Sequence, residues 1–84
     1  MGYSNPFHNV FKMFYWYTKA ANNNHAAACN NLADMYERGV ACNQDIQKAL
    51  SLYKKAAELG DFCGKKNYKL LLKQIRSGIY NLEP

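Results

Sequence analysis

The chain has 84 residues and lacks most of what membranes and active sites require. Its longest apolar run, Met13 to Tyr17, is far short of the roughly 20 residues that span a bilayer, so no membrane segment is expected. The start Met1-Gly2-Tyr3-Ser4-Asn5-Pro6 has neither the basic end nor the apolar stretch of a signal peptide. Pro6 also stands where a myristoylation motif needs Ser or Thr, and a cytoplasmic protein is expected. Cysteine is sparse and odd in number. Cys29, Cys42 and Cys63 cannot all pair within one chain, which suits free, mostly buried thiols. His25 and Cys29 have the i, i+4 spacing of metal ligands and stacking could bring Cys63 near, but no Cys-x-x-Cys or His-rich cluster accompanies them, and neither metal nor cofactor is expected. There is no glycine-rich phosphate loop. His8 and His25 lack a nucleophile and an orienting acid, and the few carboxylates show no pairing suited to acid–base work, so no enzyme is expected.

What the chain does have is an echo. Tyr17, Lys19, Ala20 and Ala21 return in the same order as Tyr53, Lys55, Ala56 and Ala57, a period of 36 residues. Self-similarity at such a period marks stacked units that bury an apolar face only against their neighbours. Nearly half of the residues are apolar, 49%, which is the composition of a folded domain.

The apolar spacing predicts four helices. Asn5-Pro6 reads as an N-cap and first-turn proline for a helix running to about Ala21, with Val10, Met13, Phe14, Tyr17, Ala20 and Ala21 on one face. Asn22-Asn23-Asn24 makes a turn. A second helix runs from about His25 to Arg38 with Ala28, Leu32, Ala33, Met35 and Tyr36 inward, and ends at Gly39. Asp45 or Asn43 caps a third, with Ile46, Ala49, Leu50, Tyr53, Ala56 and Ala57 inward, closed by Gly60. A fourth, from about Asp61 to Ser77, directs Phe62, Tyr68, Leu71, Leu72 and Ile75 to the core and leaves a short tail after Gly78. Small residues and short connections imply antiparallel αα hairpins.

The stretch from Ala28 to Gly39, with Leu32-Ala33, Met35-Tyr36 and Gly39, followed by Lys48-Ala49 and Tyr53-x-x-Ala56-Ala57, closely resembles the Sel-one-like repeat, a relative of the tetratricopeptide repeat. The resemblance implies an all-α fold, a short right-handed solenoid of αα hairpins with about four helices. Its organisation would be the second helix of a truncated repeat at 6–22, one complete repeat at 25–60, a degenerate capping helix at 61–77 and a tail at 78–84. Two departures stand out. The family's connecting loop usually carries a second glycine and a valine where this chain has Ala41 and Cys42, and Cys42 reads as a small buried hydrophobe. Lys69 replaces the small residue equivalent to Ala33, as expected of a terminal cap. A cysteine-rich branch of the family pairs a cysteine at the position of Cys29 with one that is Ala57 here, so that disulfide is not expected.

The resemblance further implies a protein–protein interaction module, a small adaptor or inhibitor, whose concave surface would draw on Asn30, Asn31, Asp34, Lys66 and Lys69. The net charge of +5 is concentrated late in the chain, where Lys66, Lys69, Lys73 and Arg76 share one helix side with Lys65 beside them. That stripe is open to three readings: a solvated face, a contact for an acidic protein, or a nucleic-acid surface. Ser51-Leu52-Tyr53-Lys54 spells the Ser-x-x-Lys signature of penicillin-recognising enzymes. No accompanying element supports a penicillin-binding or hydrolysing role.

The first helix is apolar beyond its core face. Phe7, Phe11 and Tyr15 line one flank, Met13 and Trp16 the other, while one repeat later Asn43, Gln47 and Ser51 replace the three aromatics. Either residues 78–84 fold back with Ile79, Tyr80 and Leu82 to cover this flank, or it is an association site for a partner or for a second copy in a homodimer.

Overall fold

The computed structural model describes residues 9–80, which form α1 (Asn9–Asn22), α2 (Ala26–Arg38), α3 (Ile46–Glu58) and α4 (Phe62–Arg76). The Asn5-Pro6 start and Phe7 lie outside the described residues. The stops are set by backbone chemistry. Asn24 and Gly39 adopt left-handed conformations, with φ of 64° and 71°, and the Val40 amide reaches back to the Met35 carbonyl at 2.9 Å. Asp45 rather than Asn43 caps α3, its carboxylate accepting from the Lys48 amide at 3.0 Å. Asp61 caps α4 in the same way, accepting from the Gly64 amide at 2.7 Å. Between α2 and α3 the backbone also turns left-handed at Ala41, φ 63°, the place where the resemblance led one to expect glycine.

Each helix packs on the next in sequence, and α2 also packs on α4. Two apolar layers result. One gathers Ala21, Cys29, Leu32 and Ala56 with Phe14 and Tyr17. The other gathers Ala33, Ile46, Ala49, Tyr53 and Leu71 with Tyr68, Ile75 and Tyr80. Tyr36 and Leu52 belong to the edges of both, joining them into one core. The helices α3 and α4 approach closely at Gly64, where a Cβ would lie 2.5 Å from that of Ala56. Gly64 is Ala28 moved along by one repeat, so removing a methyl group lets α4 approach more closely than a strict repetition would.

Three inward assignments need correction. Phe62 is 72% exposed, because at 100° per residue it falls opposite Gly64, Tyr68, Leu71 and Ile75, in line with Lys66, Lys69 and Lys73. Met13 is exposed and Tyr17 only half-buried, whereas their equivalents Ala49 and Tyr53 are buried. The difference has one cause: α3 has α2 against this face, and among the described residues no helix takes that place beside α1.

Candidate interaction surfaces

On α1, Phe14 meets Tyr36 edge-to-face with ring centroids 5.5 Å apart, and this anchors the helix to α2. The opposite side is open. Phe11, Tyr15 and Trp16 are 66%, 55% and 61% exposed. Tyr15 and Trp16 pack edge-to-face at 5.2 Å, and the Lys19 ammonium lies 5.4 and 5.5 Å from the two ring centres. Tyr15 and Trp16 thus form a pair with a cation at one edge, and Phe11 stands exposed one turn before Tyr15. Residues 79 and 80 do not cover it: Ile79 is exposed, and Tyr80 packs instead on the layer around Tyr53. Leu82 lies outside the described residues.

Tyr80 turns toward the end of α2, where its hydroxyl donates to Glu37 Oε2 at 3.0 Å. Tyr53 donates to Oε1 of the same carboxylate at 3.0 Å. Burial, with the Glu37 charge behind it, pushes both phenols above the ordinary tyrosine range. Sequence reasoning missed this clamp, since nothing in the spacing pairs Tyr80 with Glu37.

The expected concave set does not form one surface. Asn30 is engaged in the fold, its side-chain oxygen accepting from Asn67 Nδ2 on α4 at 2.9 Å. Asn31 is exposed, and Asp34 pairs with Arg38 at 3.2 Å on the surface of α2. Lys69 lies on the far flank of α4 from Asn67, some 200° round the helix axis, so it does not share a surface with Asn30. It lines, with Lys65, an open groove of about 510 Å³ between α3 and α4. Ala57, Tyr68 and Leu72 make the groove's apolar lining, and Lys54 and Glu58 border it from α3. Lys66, Lys73 and Arg76 are exposed.

The remaining chemical candidates are dispersed. Cys29 is buried with its thiol toward the Ala21 carbonyl at 3.8 Å, and burial raises its pKa, as it does that of Cys42. Cys63 and His25 are exposed, all three cysteines are free, and no three metal-type ligands cluster among the described residues. Ser51 and Lys54 are both exposed on α3. Among the described residues no helix is long and apolar enough to cross a membrane.

Hairpins stacked in register, each seated on the last, define the class: a helical-hairpin solenoid of the tetratricopeptide type. The family model of the Sel1 repeat matches residues 14–25 and 26–61, more than half of the chain, and the chain belongs to the Sel1 repeat family. Sel1 repeats mediate protein–protein interaction. No curated protein and no solved structure matches the chain significantly.

Proposed function

We infer that the chain is a small interaction module, an adaptor or inhibitor, that captures a protein partner through the aromatic side of α1. The observation that carries this reading is the exposure of Phe11, Tyr15 and Trp16 on a helix whose successor has Gln47, Ser51 and half-buried Leu52 at the same repeat positions. Neither the repeat nor the core requires aromatics there, and three large exposed rings cost solubility unless something covers them. Phe7 continues the i, i+4 series in the sequence. Asn31 and Asp34 on the outer face of α2 are further candidate contacts, with Asn30 withdrawn into the fold.

Affinity capture from the native host tests the reading, with wild type beside a Phe11→Glu, Tyr15→Glu, Trp16→Glu variant of unchanged helicity. A protein that the wild type retains and the variant loses is the expected result. Equal capture by both overturns it. Sedimentation of the purified chain decides whether the covering surface is a second copy, joined by a two-fold axis through α1.

One observation favours a second reading. Phe62 stands exposed in line with Lys66, Lys69, Lys73 and beside Arg76, giving the basic stripe an aromatic that could stack on a base. A nucleic-acid contact of this kind predicts affinity that falls steeply with salt and is abolished by Lys69→Glu with Lys73→Glu.

A further inference from the structure

The groove between α3 and α4 has a filled counterpart inside the same molecule. Moving its lining back by one repeat converts Ala57, Lys65, Tyr68, Lys69 and Leu72 into Ala21, Cys29, Leu32, Ala33 and Tyr36. Those five residues form the seat on which α3 lies. Ala56 is packed with Ala21, Cys29 and Leu32, Ala49 and Tyr53 with Ala33, and the Lys55 ammonium donates to the Ala21 carbonyl at 3.0 Å. The open groove therefore has the shape of a helix seat.

Its chemistry differs from that of the filled seat at two central positions. Cys29 and Ala33, fully buried beneath α3, become Lys65 and Lys69, and Lys54 adds a third ammonium on the opposite wall, with Glu58 the one carboxylate among the lining residues. A repeat helix with Ala and Tyr at the facing positions, as in α3, would strand those ammonium groups away from water, at the cost of an unpaired buried charge. A helix with carboxylates at the same positions would pair with them while its apolar residues covered Ala57, Tyr68 and Leu72.

We propose that the groove between α3 and α4 is the docking site for an acidic amphipathic helix of a partner protein, seated as α3 is seated on α1 and α2. A second copy of this chain fits less well. Its α1 would bring Met13 against Lys69, where the internal seat has Ala49 against Ala33, so two long side chains would occupy the space of two methyl groups. Lys12 and Lys19 of that copy would add charge of the same sign as Lys54, Lys65 and Lys69.

The proposal rests on the reading of the chain as a protein-interaction module but places contact at the end of the stack away from α1. Its test uses purified components and does not involve α1 capture, so either can fail alone. The probe is a fluorescent peptide of residues 45–60 with Ala49→Glu and Tyr53→Glu, held helical by a hydrocarbon link between positions 47 and 51, which are exposed in α3. Fluorescence anisotropy should show it binding the wild-type chain at least about tenfold more tightly than the linked peptide with the native Ala and Tyr. Lys65→Glu with Lys69→Glu should abolish that preference and transfer it to a peptide carrying Ala49→Lys and Tyr53→Lys, with circular dichroism confirming that the double variant folds. Equal binding of acidic and native peptides, or undiminished binding by the charge-reversed chain, overturns the proposal. So does concentration-dependent self-association of the wild type that Trp16→Glu and the groove variant Leu72→Glu each abolish, because α1 of a second copy then fills the groove.

Discussion

Tyr53 donates its phenolic proton to Glu37 across the interface of α2 and α3 at 3.0 Å, tying the inner face of α3 to a carboxylate near the end of α2. The ring is buried and the carboxylate partly so, so the bond works in a medium less polar than water. Tyr53→Phe should cost about 1.5 to 3 kcal/mol, the range for a hydrogen bond to a charged group. Tyr53→Ala should cost about 3 to 5 kcal/mol by emptying the core layer, enough to unfold much of a domain this small. Urea melts of the two variants beside wild type give both numbers.

The same clamp sets an alkaline limit. Because the folded pKa values of Tyr53 and Tyr80 lie above the ordinary value near 10, the unfolded chain releases its phenolic protons first. Their contribution to stability is fully present below about pH 10 and is lost as pH rises from there toward the folded values. Urea midpoints between pH 8 and pH 11 should fall more steeply for wild type than for Tyr53→Phe. Parallel curves would show that the clamp does not discriminate between phenol and phenolate.

Gly64→Ala should destabilise the chain. In an ordinary helix this change gains up to about 1 kcal/mol. Here the new methyl group lies 2.5 Å from the Ala56 Cβ and 3.2 Å from its carbonyl carbon, and forcing α4 away costs about 1 to 3 kcal/mol. A lower melting temperature, partly restored by adding Ala56→Gly, is the expected pattern.

Ala41→Gly should act in the opposite direction. Ala41 holds a left-handed φ of 63°, which costs a residue with a Cβ roughly 1 to 2 kcal/mol. Glycine removes that strain and gives back part of the gain through a freer unfolded chain, leaving a net stabilisation of about 0.5 to 1 kcal/mol. A melting temperature that does not rise would mean that the loop relaxes without strain in solution.

Lys55 and Lys19 are one residue type at one repeat position with two different occupations. Lys55 donates to the Ala21 carbonyl in the last turn of α1, where a cation is favoured by the helix dipole, while Lys19 lies over Tyr15 and Trp16. Lys55→Met should lower stability by about 1 kcal/mol and Lys19→Met by less than about 0.5 kcal/mol. Thermal melts of the pair give the comparison.

How far the sequence could be read follows from the same pairing. The number of helices, a cap for α3 at Asp45 or Asn43 and the glycine stops were legible because each depends on a few neighbouring residues. Most core positions of α2 and α3 were legible too, because each of those helices has neighbours on both sides and the 36-residue period identifies them. Legibility failed at the two ends of the stack. Phe62, expected inward, has an angular position among the lysines. Met13 and Tyr17 follow the apolar period of α1, but the helix that covers the equivalent face of α3 has no counterpart beside α1 among the described residues. Gly64 could have been found by noting that it stands where Ala28 does one repeat earlier. The clamp of Tyr80 on Glu37 could not, since a residue in a turn after the last helix carries no periodic signal. The α3–α4 groove needed three dimensions, although Lys69 in place of Ala33 had already indicated that the repeat changes character there.

The attachment of α1 has a dynamic consequence. It is held by Phe14, Tyr17 and Ala21 on one face and by the Lys55 hydrogen bond at its end, whereas α2 and α3 are each packed on both sides. Stability in such a stack is shared between neighbouring units and not spread evenly, so α1 can open while the central hairpin stays closed. Amide protons of α1 should exchange through this local opening at a rate insensitive to small amounts of urea, and those of α2 and α3 only through global unfolding. A partner that covers Phe11, Tyr15 and Trp16 would then slow exchange in α1 far more than in any other helix, a signature that can be sought before the partner's binding surface is known.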